Sequence, residues 1–114
     1  MRKITSQSVD AFVNEYRFNR GNTAVCCATE AREWCLMLHN NLIAKRILFI
    51  NDLWITDAGW QTDTTKERLN GVLYRLTSGW GLFQKKGEWF LTNDEETVQW
   101  TGSATFIAGD LIKS

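Results

Sequence analysis

One stretch, Leu53 to Leu76 (LWITDAGWQTDTTKERLNGVLYRL), constrains the fold of this chain more than any other. Leu53 and Ile55 alternate with Trp54 and Thr56, the period of a strand with two different faces. Asp57-Ala58-Gly59 breaks that alternation. Glycine reaches positive φ and aspartate can bond its own backbone ahead, so a turn is expected. A helix follows, because Leu69, Val72, Leu73 and Leu76 fall at i, i+3, i+4 and i+7 and make one apolar face. Thr64 with Glu67 fits a capping box, with Asp63 or Thr62 as alternative caps. Gly71 within this helix costs about 1 kcal/mol against alanine and points either to close packing or to a weak spot.

The flanking segments are shorter. Val9, Phe12, Val13 and Tyr16 repeat the helical spacing and predict a first helix over Ser6 to Tyr16, capped by Thr5 or Ser6. Gly21-Asn22 signals a turn, Thr23 to Cys27 a strand, and Thr29 to Glu33 a loop. Trp34 to Leu38 and Leu42-Ile43-Ala44 read as strands around an Asn40-Asn41 hairpin turn. Ile47 to Ile50 is apolar, and Asn51-Asp52 turns into the central strand. Beyond Leu76, a loop over Thr77 to Gly81 leads to a hairpin around Lys85-Lys86-Gly87. Asn93 to Glu96 is an acidic turn, and Thr97–Trp100 and Thr105–Ala108 are expected to pair across Gly102. Hairpin-length connections predict an α+β fold: a single two-layer domain over residues 1–114, its mostly antiparallel sheet carrying two helices on one face.

A chain of 114 residues that is 44% hydrophobic builds one core and has no room for two. Basic and acidic residues number 13 each, a balance that disfavours both a strongly basic nucleic-acid binder and an acidic DNA mimic. The balance is uneven along the chain. Thr64 to Gly87 holds five bases against Glu67 alone, and Glu88 to Asp110 holds five acids and no base. The start, MRKITSQSVDAF, lacks the apolar core of a secretion signal, and no run is long enough to span a bilayer. A cytoplasmic protein with no membrane partner is therefore expected. Three cysteines, two of them adjacent, fit a reducing compartment better than a disulfide framework.

Catalytic and metal signals are weak. Cys26, Cys27, Cys35 and His39 are possible zinc ligands, but on a strand Cys35 and His39 stand roughly 13 Å apart, and adjacent Cys26 and Cys27 point to opposite faces. The same distance disfavours a Cys35–His39 catalytic pair. Asp57 and Asp63 flank the Gly59-Trp60 loop, where turn formation and capping account for both without a metal. Serine-nucleophile, P-loop and dinucleotide glycine patterns are absent. No catalytic residue, metal or cofactor is expected, and an enzyme is the minority reading.

The positive case is a binding surface. Lys66, Arg68 and Arg75 are expected on the outward side of the central helix, whose start presents free N–H groups beside Thr62, Thr64 and Thr65. Trp60 precedes this helix and Trp80 follows it, and neither belongs to an apolar period. Exposed aromatics beside basic residues suit base stacking with phosphate contacts, or a protein–protein hot spot. The alternative is a capped helix with a solvated charged face and two tryptophans folded inward.

The segments Phe18 to Thr23, Leu38 to Asn41 with Ile43-Ala44, Leu53-Trp54-Ile55, and Gln84 to Leu91 resemble a family of small proteins encoded by tailed bacteriophages and prophages. The likeness is most specific over Ala58 to Asn70, AGWQTDTTKERLN, and extends to about Asn93. Cys26 to Cys35 and the tail from Thr97 depart from it. The resemblance implies a phage or prophage origin and a bacterial host cell, and it transfers no catalytic residue. It raises the expectation of an accessory protein that acts by binding, and the residues themselves place that surface at Trp60, Thr62, Thr64, Lys66, Arg68, Arg75 and Trp80. The target is nucleic acid, or alternatively a host defence protein inhibited through exposed tryptophans and the acidic segment Asp94 to Glu96. A small nucleotide- or phosphate-binding protein at Thr62 to Thr65 is the third reading.

Overall fold

The computed structural model describes residues 2–28, 33–47, 52–77 and 79–107. The elements, in chain order, are α1 (Lys3–Asn14), β1 (Phe18–Arg20), β2 (Thr23–Ala28), β3 (Glu33–Leu38), β4 (Asn41–Ile47), β5 (Asp52–Ile55), α2 (Asp63–Leu76), β6 (Gly81–Lys85), β7 (Glu88–Thr92), β8 (Thr97–Gln99) and β9 (Thr105–Phe106). The α+β class expected from the sequence holds. The strands form two antiparallel sheets, one of six in the order β1-β2-β3-β4-β5-β9 and one of three in the order β6-β7-β8.

The two faces of the larger sheet differ. Val25, Leu36, Ala44 and Ile55 share one row across four strands and are all buried. Helices α1 and α2 pack on each other and over this face, α1 on β1, β2 and β3 and α2 on β4. The next row, Cys26, Cys35, Lys45, Trp54 and Phe106, stays half-buried or exposed on the far face. A bulge at Leu36/Met37 sets two residues of β4 against one of β3, and Ile43 and Ala44 are both buried as a result.

Several local expectations shift. Helix α1 starts at Lys3 with no side-chain cap at Arg2. Thr5 is buried inside that helix and is not its cap. Glu15 ends α1 in the left-handed region at φ 62°, and Tyr16 falls beyond it, exposed and bonded to Asp10. Arg46 of β4 donates to the Val13 carbonyl at 2.7 Å and the Phe12 carbonyl at 3.4 Å, satisfying acceptors that a helix end leaves open. Thr62 caps α2, taking the Thr65 N–H at 3.1 Å. Glu67 does not close a capping box, because its carboxylate bonds Arg2 and Thr5. The β3–β4 turn is His39-Asn40, at φ 50° and 64°, one residue earlier than expected. Phe18 to Arg20 is a strand where only a turn was expected after it. Of the loop expected over Thr29 to Glu33, Glu33 instead opens β3 and residues 29–32 lie outside the described residues, as do residues 48–51.

The largest correction concerns the last two strands. They do not pair with each other: β8 joins β7 in the small sheet and β9 joins β5 at the edge of the large one. Gly102 is where the chain passes between the sheets. Trp100 anchors the near side, stacking on Trp89 with centroids 6.1 Å apart and donating from Nε1 to Thr105 Oγ1 at 2.8 Å.

Two polar devices fix the layers. Arg68 is 1% exposed. Its guanidinium donates to Thr23 of β2 at 3.3 Å, to Thr5 of α1, and to Glu67 at 3.3 Å. Thr5 in turn donates to Glu67, and Arg2 approaches the same carboxylate at 3.1 Å. Burial pushes the Glu67 carboxyl up, but the Thr5 hydroxyl, Arg2 and Arg68 outweigh it and hold the group below its ordinary value. Asn70, two residues further along α2 and on another side, donates to the Leu82 carbonyl at 2.9 Å and accepts the Leu82 N–H at 2.7 Å. It completes the edge of β6 as a neighbouring strand would.

Asn70→Ala strips both partners from Leu82, a buried residue. A loss of about 2 kcal/mol is expected in urea denaturation, and a loss under about 0.5 kcal/mol would show that the amide bridge does not hold the small sheet to α2. The depressed Glu67 value sets a pH dependence. Its stabilisation is complete above the ordinary glutamate value of about 4.3 and is lost as pH falls through the lower folded value. Wild-type stability should therefore drop more steeply below about pH 4 than that of Glu67→Gln; parallel pH curves would refute the linkage.

Candidate binding cleft

Three chain segments meet around a cleft of about 530 Å³, within the range of about 300–1,000 Å³ usual for ligand sites. The β3–β4 hairpin brings Leu38, His39, Asn41 and Ile43. The loop between β5 and α2 brings Asp57, Ala58 and Trp60, and the start of α2 brings Thr62, Thr64 and Thr65. Trp60 is 63% exposed beside this apolar hollow.

The loop that carries Trp60 is tightly knit. The Asp57 carboxylate accepts the Gly59 N–H at 2.7 Å, and the Asp57 carbonyl accepts the Trp60 N–H at 2.9 Å. Ala58 and Gly59 both hold positive φ, 56° and 88°. For alanine that conformation costs on the order of 1 kcal/mol, a strain that persists only where the surroundings dictate it. Gly102 supplies part of that constraint. Its carbonyl accepts the Asp57 N–H at 3.0 Å and the Thr56 hydroxyl at 2.8 Å. A Cβ on Gly102 would lie 1.7 Å from an Asp57 carboxylate oxygen, so only glycine fits there. On the opposite wall, the His39 N–H donates to the Asn22 carbonyl at 2.8 Å, and Asn41 bonds the His39 carbonyl at 3.2 Å.

Of the seven residues that the sequence marks out for binding, the structure gathers three at the cleft: Trp60, Thr62 and Thr64. The others lie elsewhere. Arg68 does not face outward, because Thr5, Thr23 and Glu67 hold it inside. Lys66 turns toward the small sheet, with Nζ 3.2 Å from Gln84, 3.7 Å from Asp63 and 6.0 Å from the centre of the Trp89 ring. Arg75 pairs with Asp10 of α1 at 3.4 Å. Trp80 lies at the far end of α2, half-buried against the core, in a separate hollow beside the exposed Tyr74. The expected basic, tryptophan-flanked face of α2 is thus divided among an interior network, an ion pair and two separate hollows.

Sequence reasoning missed Leu38, Asn41 and Ile43 as cleft residues and treated His39 as a hairpin residue. Their approach to α2 depends on strand order, which no local pattern reports. Asp57 and Asp63, the two candidate carboxylates, serve different ends: Asp57 is buried in the loop, while Asp63 is almost fully exposed and faces Lys66. Among the described residues, no three histidine, cysteine, aspartate or glutamate side chains come together to hold a metal ion. Among the same residues, no helix is long and apolar enough to cross a membrane.

No curated protein sequence and no solved structure matches the chain. A family of phage proteins does. The match covers residues 1–112 and so includes most of the tail from Thr97 that reads as an extension in the sequence alone. The chain belongs to the Kyanoviridae Gp96 protein family.

Proposed function

We propose that this phage protein acts by binding a host protein, and that the contact surface is the cleft beside Trp60. One observation carries the reading: a tryptophan 63% exposed beside an apolar hollow, where most of the other large apolar side chains among the described residues are buried. Tryptophan is enriched among residues that dominate interface energies, where a large apolar body and one N–H donor meet a partner in a water-excluded pocket. The hollow accepts an apolar side chain, and its rim of Thr62, Thr64, His39 and Asn41 offers hydrogen bonds. Charge argues in the same direction. No lysine or arginine lines the cleft among the described residues, and the α2 cations that would meet phosphates are engaged within the protein. Such a contact blocks or redirects a host factor without catalysis of its own.

The test compares wild type with Trp60→Ala and with Arg75→Ala, an exposed control outside the cleft. Host-lysate partners identified by mass spectrometry are remade pure, and their affinities measured. Trp60→Ala should weaken binding about 30-fold, matching a hot-spot loss of about 2 kcal/mol, while Arg75→Ala stays near wild type. Equal affinity for wild type and Trp60→Ala would sink this placement. A parallel shift assay with single- and double-stranded DNA and RNA at two salt concentrations covers the other target class. A complex that weakens with salt and is lost in Trp60→Ala would replace the protein partner with nucleic acid stacked on the same residue.

A further inference from the structure

Cys26 of β2 and Cys35 of β3 stand directly opposite each other in an antiparallel pair. Both are half-buried free thiols. They lie on the face of the large sheet away from the helices, in the row that continues to Lys45 and Trp54. Opposed residues in such a pair hold their Cα atoms roughly 4.5–5.5 Å apart, with Cβ atoms at a similar spacing. A disulfide needs Cα atoms about 4.4–6.8 Å apart and Cβ atoms about 3.5–4.5 Å apart, so the pair closes with a movement of about 1 Å or less. Cys27, next in sequence, points the other way and packs against the core.

We propose that Cys26 and Cys35 form a reversible dithiol–disulfide site, oxidised by a small-molecule disulfide such as glutathione disulfide. The Cys26 thiolate attacks one sulfur of glutathione disulfide, whose S–S bond breaks and releases one glutathione. The Cys35 thiolate then attacks Cys26 Sγ and displaces the second glutathione. Two protein thiols and one glutathione disulfide become one protein disulfide and two glutathione thiols. The protein sulfurs give up two electrons, and the two protons end on the glutathiones. Desolvation, with Cys26 and Glu33 close by, pushes the Cys35 thiol up to about 11, against the opposing pull of Lys45. Cys35 is therefore a poor first nucleophile, and its part is the second step, where proximity replaces a bimolecular encounter.

The full chain is incubated in glutathione buffers of increasing oxidised fraction, quenched with acid, alkylated under denaturing conditions and mapped by mass spectrometry. The expected result is loss of two of the three alkylatable thiols in one step, with a Cys26–Cys35 linked peptide that reduced glutathione reverses. Cys27→Ser should behave as wild type, while Cys26→Ser and Cys35→Ser form no internal link. Retention of all three thiols, glutathione adducts without an internal link, or a link through Cys27 would each overturn the proposal.

Discussion

The interior guanidinium of Arg68 is the constraint on which the packing of this protein depends. A buried cation is costly unless its donors are met, and here they are met by three different elements: Thr5 of α1, Thr23 of β2 and the adjacent Glu67 of α2. Burial and the nearby Arg2 push the Arg68 guanidinium down, Glu67 opposes them, and it remains charged. The apolar contacts between α1 and α2, through residues such as Phe12, Leu69 and Leu73, permit a range of offsets. The fixed fork of donors selects one of them. Arg46 plays a related part at the other end of α1, holding its terminal carbonyls from β4.

This use of charge explains why the locally basic helix α2 offers little free basic surface of its own. Arg68 orders the interior, Arg75 ties α2 to α1 through Asp10, and Lys66 bridges to the small sheet. The side chains that line the cleft at the start of α2 are neutral: Trp60 and the threonines. The proposed binding surface therefore rests on shape and apolar area, with electrostatic attraction in a lesser role.

What was legible in the sequence was local. The apolar period of α2, the strand before it, the Lys86-Gly87 hairpin and the α+β class all follow from spacing and turn chemistry within a few residues. The position of Arg68 was also present in that spacing, since it stands four residues before Val72 and three after the buried Thr65. Residue type argued for an outward side chain, and the helical period argued correctly against it. The fate of β8 and β9 was not legible. Each is short, each follows a turn signal, and only the distant edges of β5 and β7 decide which sheet takes which strand. The cleft was half legible for the same reason: its α2 wall is contiguous in sequence, and its hairpin wall arrives through pairing order.

Gly102 lets a single backbone point serve two structures. It is the crossing between the small sheet and the last strand of the large one, and its carbonyl and bare Cα also seat Asp57 beneath the Trp60 loop. The loop wall of the cleft is therefore coupled to the end of the large sheet. A partner that widens it by lifting the loop must also pull on β9, which holds to β5 by two paired positions and the Ile107 N–H to Leu53 carbonyl bond. On its loop side, the proposed cleft is thus tied to the sheet edge, and the rim of the large sheet should set the resistance that a partner meets there.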